Sequence, residues 1–442
     1  MFERIKMWWK GVMGKMFPIT TLKRIIGEQF VLTQEMIQSI ELWSSMYAGR
    51  APWCDEEIHS LGIEHGIVRE FANVALNEMD TSLSNEKLNK LYQKGLRDLN
   101  ENLQAGLAMG AIIIKPLGNT GAVQYVAQDS FIPLEFDGSG RLTKVVMFDT
   151  RRMNDTLYYI RLEFHLLENG TMTIRNKAYQ SENGINIGSE VELTVVDDWK
   201  TLPDEITYPI DYVDFGYYRN PLDNTIDKSK SGVSIFDSAV HLIRKADIQF
   251  GRIDWEYESG ERAIYADITA IKNNGNGRPS RSKIVKVLDT GKDDFFQDFS
   301  PEMRDEAYIR GLEEYKRDIE FNVGLAYGDL SKVSEVEKTA EEVRTSKQRK
   351  YNTVKAIQDN LRDCLEDFAK ALAFYNAMST VHSEFKCDFS DSVLTDLEKE
   401  RQQDRQDVAM GVMSLVEYRM KWYGEDETTA KKMLPVQNTV ME

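Results

Sequence analysis

Cysteine, histidine and proline are all sparse in this chain, and the few present are scattered. Cys54, Cys364 and Cys387 show no C-x-x-C spacing. That argues against a disulfide frame or a zinc site and for thiols packed in a core in a reducing compartment. His59, His65, His165, His241 and His382 are dispersed, without H-E-x-x-H, and there is no G-x-S-x-G elbow and no G-x-x-x-x-G-K-[ST] phosphate loop. NNGNGRPS has two glycines at G-x-G spacing but no third and lies between strand patterns, so it reads as a turn. Asp197 with Asp198, and Asp293 with Asp294, are adjacent carboxylates. Neighbours on an extended chain point to opposite faces, which makes each pair a poor metal site. The expectation is no catalytic residue, no metal and no cofactor. Positive charge is also in deficit: Lys plus Arg number 55 against 72 Asp plus Glu, a net charge of -17. A general basic grip on nucleic acid is excluded, and any DNA contact must be local.

What is present is the composition of a folded protein, with 442 residues, 42% hydrophobic content and 28 glycines, enough for two or three domains. The N-terminal MFERIKMWWKGVMGKMF breaks each apolar run with lysine. It therefore lacks both the core of a secretory signal and the roughly 20 apolar residues of a membrane span. Trp8 and Trp9 among Lys6, Lys10 and Lys15 suit an interfacial helix or an arm docking on its own protein or a neighbour.

Helical stripes come first: Met36, Ile37, Ile40, Trp43 and Tyr47; then Ile67, Phe71, Val74, Ala75 and Leu76; then Leu88, Leu91, Leu99, Leu103 and Leu107. After Gly110 the period shortens. Residues 111–115, 123–127, 131–136, 142–148, 157–166 and 171–179 read as strands, the last two joined by the hairpin signal Glu168-Asn169-Gly170. Residues 197–231, with Pro203, Pro209 and Pro221, read as an irregular connection.

Ser234 then opens a helix with the stripe Ile235, Ala239, Leu242, Ala246, Phe250, Ile253 and Tyr257. Strands at 263–271 and 283–288 follow, and a second helix starts at Ser300 and Pro301, with Tyr308, Leu312, Tyr315, Ile319 and Val323 inward. Two helices of roughly 25 residues, some 37 Å each, would hold a small β module at their far end. Periodicity fails from Gly324 to Lys338 and returns as Val354, Ile357, Leu361, Cys364, Phe368, Ala371 and Tyr375. Before that stripe, Arg344, Lys347, Arg349 and Lys350 crowd into seven residues, a segment expected to face solvent or an anion. The run from Glu398 to Arg405 reads as a charged helix face.

Several stretches resemble the portal proteins of long-tailed bacteriophages that infect Gram-positive bacteria. They are AIIIKP, YVAQDSFIPLEFDGSGRL, SGVSIFDSAVHLIRKADIQF, GLAYGDLSKVSEVEKTAEEV and DRQDVAMGVMSLVEYRMKWYGEDE, spread in order over nearly the whole chain. None is a catalytic signature. One departure is Glu341, where the family usually has a small hydroxyl residue in a T-A-T-E-like run.

The resemblance implies an α+β portal fold: a wing over 1–232, a first stem helix over 233–259, a clip over 260–299 and a second stem helix over 300–324. A tunnel loop over 325–338, a long wing helix over 339–378 and a helical crown over 379–442 complete it. It implies a ring of about twelve copies at one capsid vertex, conducting double-stranded DNA during packaging and ejection. Terminase, a head-completion adaptor, capsid and scaffolding proteins would be its partners. It would be assembled in the host cytoplasm and reside in the virion, with no membrane and no enzymatic activity expected. Lys332, Lys338, Arg344, Lys347, Arg349 and Lys350 are the candidates for DNA contact, with ion pairs to a neighbouring subunit as the alternative. Arg278, Arg281, Lys283, Lys286, Asp293 and Asp294 are the clip candidates for partner binding. Like charge on so many acidic copies would oppose ring closure, so salt would strengthen the ring where that term dominates. Two other classes compete: a metal-dependent nuclease of a mobile element, and a peripheral membrane or adhesion module.

Overall fold

Among the residues that the computed structural model describes, 31–119, 121–153, 157–182, 186–259, 263–267, 285–288, 296–299, 302–332, 340–377, 384–389 and 397–434, four helices come first. The protein is mixed α+β and divides into two units, Met1–Cys387 and Asp388–Glu442. Helix α1, Gln34–Tyr47, starts at Thr33, whose hydroxyl accepts the N–H of Met36, and buries Met36, Ile37, Ile40 and Trp43. Helix α2, Ile63–Leu76, buries Ile67, Phe71 and Ala75. The third expected stripe is two helices, α3 (Glu86–Gly95) and α4 (Leu99–Met109). The break follows Gly95, where a Cβ would lie 2.8 Å from Val123 and 3.1 Å from Phe368. Strand β1, Met79–Leu83, was not legible in sequence, because its partner β14, Phe385–Phe389, is some 300 residues away.

Strands β2 (Ala111–Pro116) and β3 (Val123–Ala127) form one sheet with β10 (Gly216–Arg219), in the order β10-β2-β3. All six residues of the central β2 are buried, as its unbroken apolar run requires. Strands β4 (Phe131–Phe136), β5 (Leu142–Arg152), β6 (Tyr158–Glu168), β7 (Thr171–Ser181) and β8 (Glu190–Val191) follow one another in a second sheet, with β9 (Glu205–Tyr208) also on β7. Asn169 and Gly170 both have positive φ, 48° and 74°, the backbone of a two-residue hairpin loop that matches strand twist. The irregular connection expected over 197–231 is corrected in part, since it supplies β9 and β10. Their pairings are with β7 and β2, so nothing local marks them.

Helix α5, Val240–Ser259, begins after a 3-10 turn at Asp237–Ala239, so Ser234 does not open it. Helix α6 spans Asp305–Val323, a later start than the proposed Ser300 and Pro301, which lie outside the described residues. At 20 and 19 residues the two are each about 30 Å long. They run antiparallel: Ser238 donates to the Asn322 carbonyl, Gln249 to the Tyr308 carbonyl, and Arg304 pairs with Glu256. Between them lies a sheet of three strands where two were expected. Strand β11 (Ala263–Asp267) is parallel to β12 (Val285–Leu288) and antiparallel to β13 (Phe296–Phe299). Helix α7, Ala340–Tyr375, has 36 residues and buries Val354, Ile357, Leu361, Cys364, Phe368 and Ala371. In the second unit, α8 (Leu397–Ala409), α9 (Leu415–Tyr423) and α10 (Glu427–Lys432) follow, α9 opening on a capping box between Ser414 and Glu417.

Candidate functional site

The amphipathic pattern of α6 places Glu313 and Glu320 two turns apart on one side of the helix. After Val323 the chain leaves the helix at Gly324 (φ 85°), where a Cβ would lie 2.5 Å from the Thr353 hydroxyl of α7. It then doubles back along α6. Glu320 is fully buried: its Oε1 accepts the N–H groups of Gly328, Leu330 and Ser331 at 3.1, 2.6 and 2.8 Å, and its Oε2 accepts the Ser331 hydroxyl at 2.9 Å. Glu313 takes the next N–H, that of Lys332, at 2.7 Å and pairs with Lys316 at 3.0 Å. Burial opposes ionisation of Glu313, but these two partners outweigh it and its pKa falls.

The other side of the loop is held by α7 and α2. Asp329 accepts the Ala326 N–H at 2.9 Å and pairs at 3.0 Å with Lys350, which also reaches Glu70 of α2 at 2.5 Å. Leu330 lies against Gly66 of α2, where a Cβ would be 3.2 Å from it. Arg349 lies over the rings of Phe321 and Tyr327, 4.5 and 5.5 Å from their centres.

These contacts revise the expected site. Periodicity fails from Gly324 to Lys338, yet the described part of that stretch is hydrogen-bonded to α6 through Gly328, Leu330, Ser331 and Lys332. Lys350 does not face solvent: it is buried, and its charge is used within the chain on the carboxylates of Asp329 and Glu70. Arg349 is half-buried on aromatic rings, while Lys347 and Lys332 are exposed. Lys338 and the side chain of Arg344 lie outside the described residues, as do Arg278, Arg281, Lys283, Asp293 and Asp294. Lys286 is on β12, opposite Tyr265 of β11, and its side chain is likewise outside them. Asp197 pairs with Lys200 and Asp198 with Arg151, so those carboxylates are surface ion-pair members. The helical pattern puts Glu313 on the solvent face of α6, whereas it is half-buried under the loop, and sequence reasoning passed over Glu320. The available signal was a carboxylate seated beside Ile319 in the buried stripe just before a glycine-rich break.

A second polar cluster is closed to solvent. Arg161, Glu163 and His165 alternate along β6 and so share one face. Lys115 and Arg161 bond Glu163 at 2.6 and 3.1 Å, and His165 bridges Glu163 and Asp214 at 3.1 and 2.7 Å. Among the described residues, no three His, Cys, Asp or Glu side chains are grouped to hold a metal, and no helix is long and apolar enough to cross a membrane. No protein-family model matches the chain, and no curated protein matches it.

Proposed function

We propose that the chain is a portal subunit, one copy of a ring that conducts double-stranded DNA through a capsid vertex and docks terminase and head-completion proteins. The observation that carries the reading is the charge on the two long antiparallel helices. On α5, Arg244, Lys245 and Arg252 are exposed, followed by Asp254 and Glu258 near its end; on α6, Glu306, Glu314 and Asp318 are, interrupted by Arg310. A cationic stretch on α5 and a mostly acidic one on α6 suit a head-to-tail contact between copies, which closes into a ring when the rotation allows. The small sheet between the helices is then displayed at one end of that ring for partners, and the loop on α6 turns towards its axis. A chain of net charge -17 leaves the channel wall mostly acidic, which keeps passing DNA from adhering.

Negative-stain images and sedimentation across a salt series test this. The expected result is a ring with a central hole that weakens as salt rises, opposite to what net charge alone predicts. Arg244→Glu with Lys245→Glu should prevent assembly, and Glu314→Lys with Asp318→Lys should restore it. A chain that stays monomeric at every concentration and salt would remove the reading.

A further inference from the structure

We propose that Glu320 is the positioning residue of the loop after α6, and that with Glu313 it fixes exposed Lys332 at one height along that helix to meet a DNA phosphate. The inference rests on the reading of this loop as channel-facing. A fully buried carboxylate is stable only with strong hydrogen bonds around it, and here the loop supplies all four. Gly328, with φ 101°, gives the backbone the left-handed turn from which its own N–H and those of Leu330 and Ser331 converge on one oxygen.

Consecutive residues then engage successive carboxylates: Ser331 bonds Glu320 and Lys332 bonds Glu313, two turns away, about 10 Å along the axis. The loop is therefore laid along α6 in one register. Lys332 has its backbone held and its side chain exposed, which shortens the reach over which its ammonium wanders. Asp329 with Lys350 closes the opposite edge of the same turn.

Hydrogen exchange of the full chain resolves the first half. Glu320→Gln keeps the shape and removes the charge; exchange at the amides of Gly328, Leu330 and Ser331 should quicken roughly tenfold, with α6 and α7 amides unchanged. Glu320→Ala should quicken it further, and Ser331→Ala, which removes only the hydroxyl bond, less. The second half is read in heads assembled with each variant. Glu320→Gln and Lys332→Ala should lower DNA retention alike, and the double variant no more than either. Unchanged exchange in both Glu320 variants, or a rise spread along α6, overturns the positioning role. Loosened amides with normal DNA retention overturn its link to DNA. A wild-type chain that builds no DNA-holding particle overturns the portal reading instead, and the exchange result still decides the clasp.

Discussion

His165 and Asp214 form a fully buried ion pair, Nδ1 to Oδ1 at 2.7 Å. The second ring nitrogen faces Glu163 at 3.1 Å, so both neighbours are acceptors and the ring is an imidazolium donating to each. Tyr375, at the last turn of α7, donates to the other oxygen of Asp214 at 2.6 Å. The pair thus ties the second sheet to the end of the longest helix.

Burial opposes the charge on His165, but Asp214 and Glu163 outweigh it and raise the pKa from 6.5 to about 9. A raised imidazole contributes stability that is complete below pH 6.5 and is lost as pH rises through 9. His165→Gln should therefore destabilise by about 3–5 kcal/mol at neutral pH, because it strands a buried carboxylate. In urea unfolding the deficit should shrink between pH 6.5 and 9. A deficit constant over that range would show that the ring is neutral in the fold.

Glu64 presents the opposite case. It is fully buried on α2, and no hydrogen bond of good geometry reaches either carboxyl oxygen. Burial, with nearby Asp247 adding to it, pushes its pKa from 4.5 to about 7. A raised carboxyl favours the fold at low pH, and this contribution fades as pH climbs from 4.5 to 7. Glu64→Gln should be close to neutral at pH 4.5 and stabilise on the order of 1–3 kcal/mol above pH 7. Thermal unfolding at the two pH values checks this, and equal Tm changes at both would sink it.

Gly216 lies where β10 passes beneath α7, and a Cβ there would stand 2.3 Å from the Cys364 carbonyl and 3.0 Å from Phe368. The nearest obstacle is backbone, so it has no rotamer with which to yield. Gly216→Ala should cost about 2–3 kcal/mol or more. Gly138, in a turn with nothing within 4 Å of its would-be Cβ, is the control: Gly138→Ala should change stability by less than about 0.5 kcal/mol. Comparable losses in the two would show that the close approach is not what matters.

The parts of the fold legible in sequence are those set by local pattern. The period of α1, α2, α5, α6 and α7, and the Asn169-Gly170 hairpin, follow from side-chain spacing and turn chemistry alone. Strands β1, β9 and β10 were missed because each is short and owes its state to a distant partner. The same division runs through the candidate site. Crowded cations near 344–350 were visible, but whether a lysine serves solvent or the core depends on what packs against it. Glu70 and Asp329 reach Lys350 from 280 residues before it and 21 before it, and no spacing rule joins them.

That difference makes Lys350 the sharpest test of the revised site. Its partners are unequal: the Asp329 side chain is 19% exposed and Glu70 39%, so solvent screens the second bond more and Asp329 carries most of the coupling. Lys350→Met keeps the apolar stem of the side chain and removes the charge. It should lower stability by about 1–3 kcal/mol, because Asp329 loses its cation while still bound to the Ala326 N–H. Asp329→Asn in the same chain should recover part of this, giving a coupling of about 1 kcal/mol or more in a double-mutant cycle. A lysine used on DNA predicts otherwise: additive stability effects, with Lys350→Met lowering DNA retention whatever residue stands at 329. Additivity with impaired retention would return Lys350 to the DNA-contacting set, whereas strong coupling keeps it in the clasp that seats the loop.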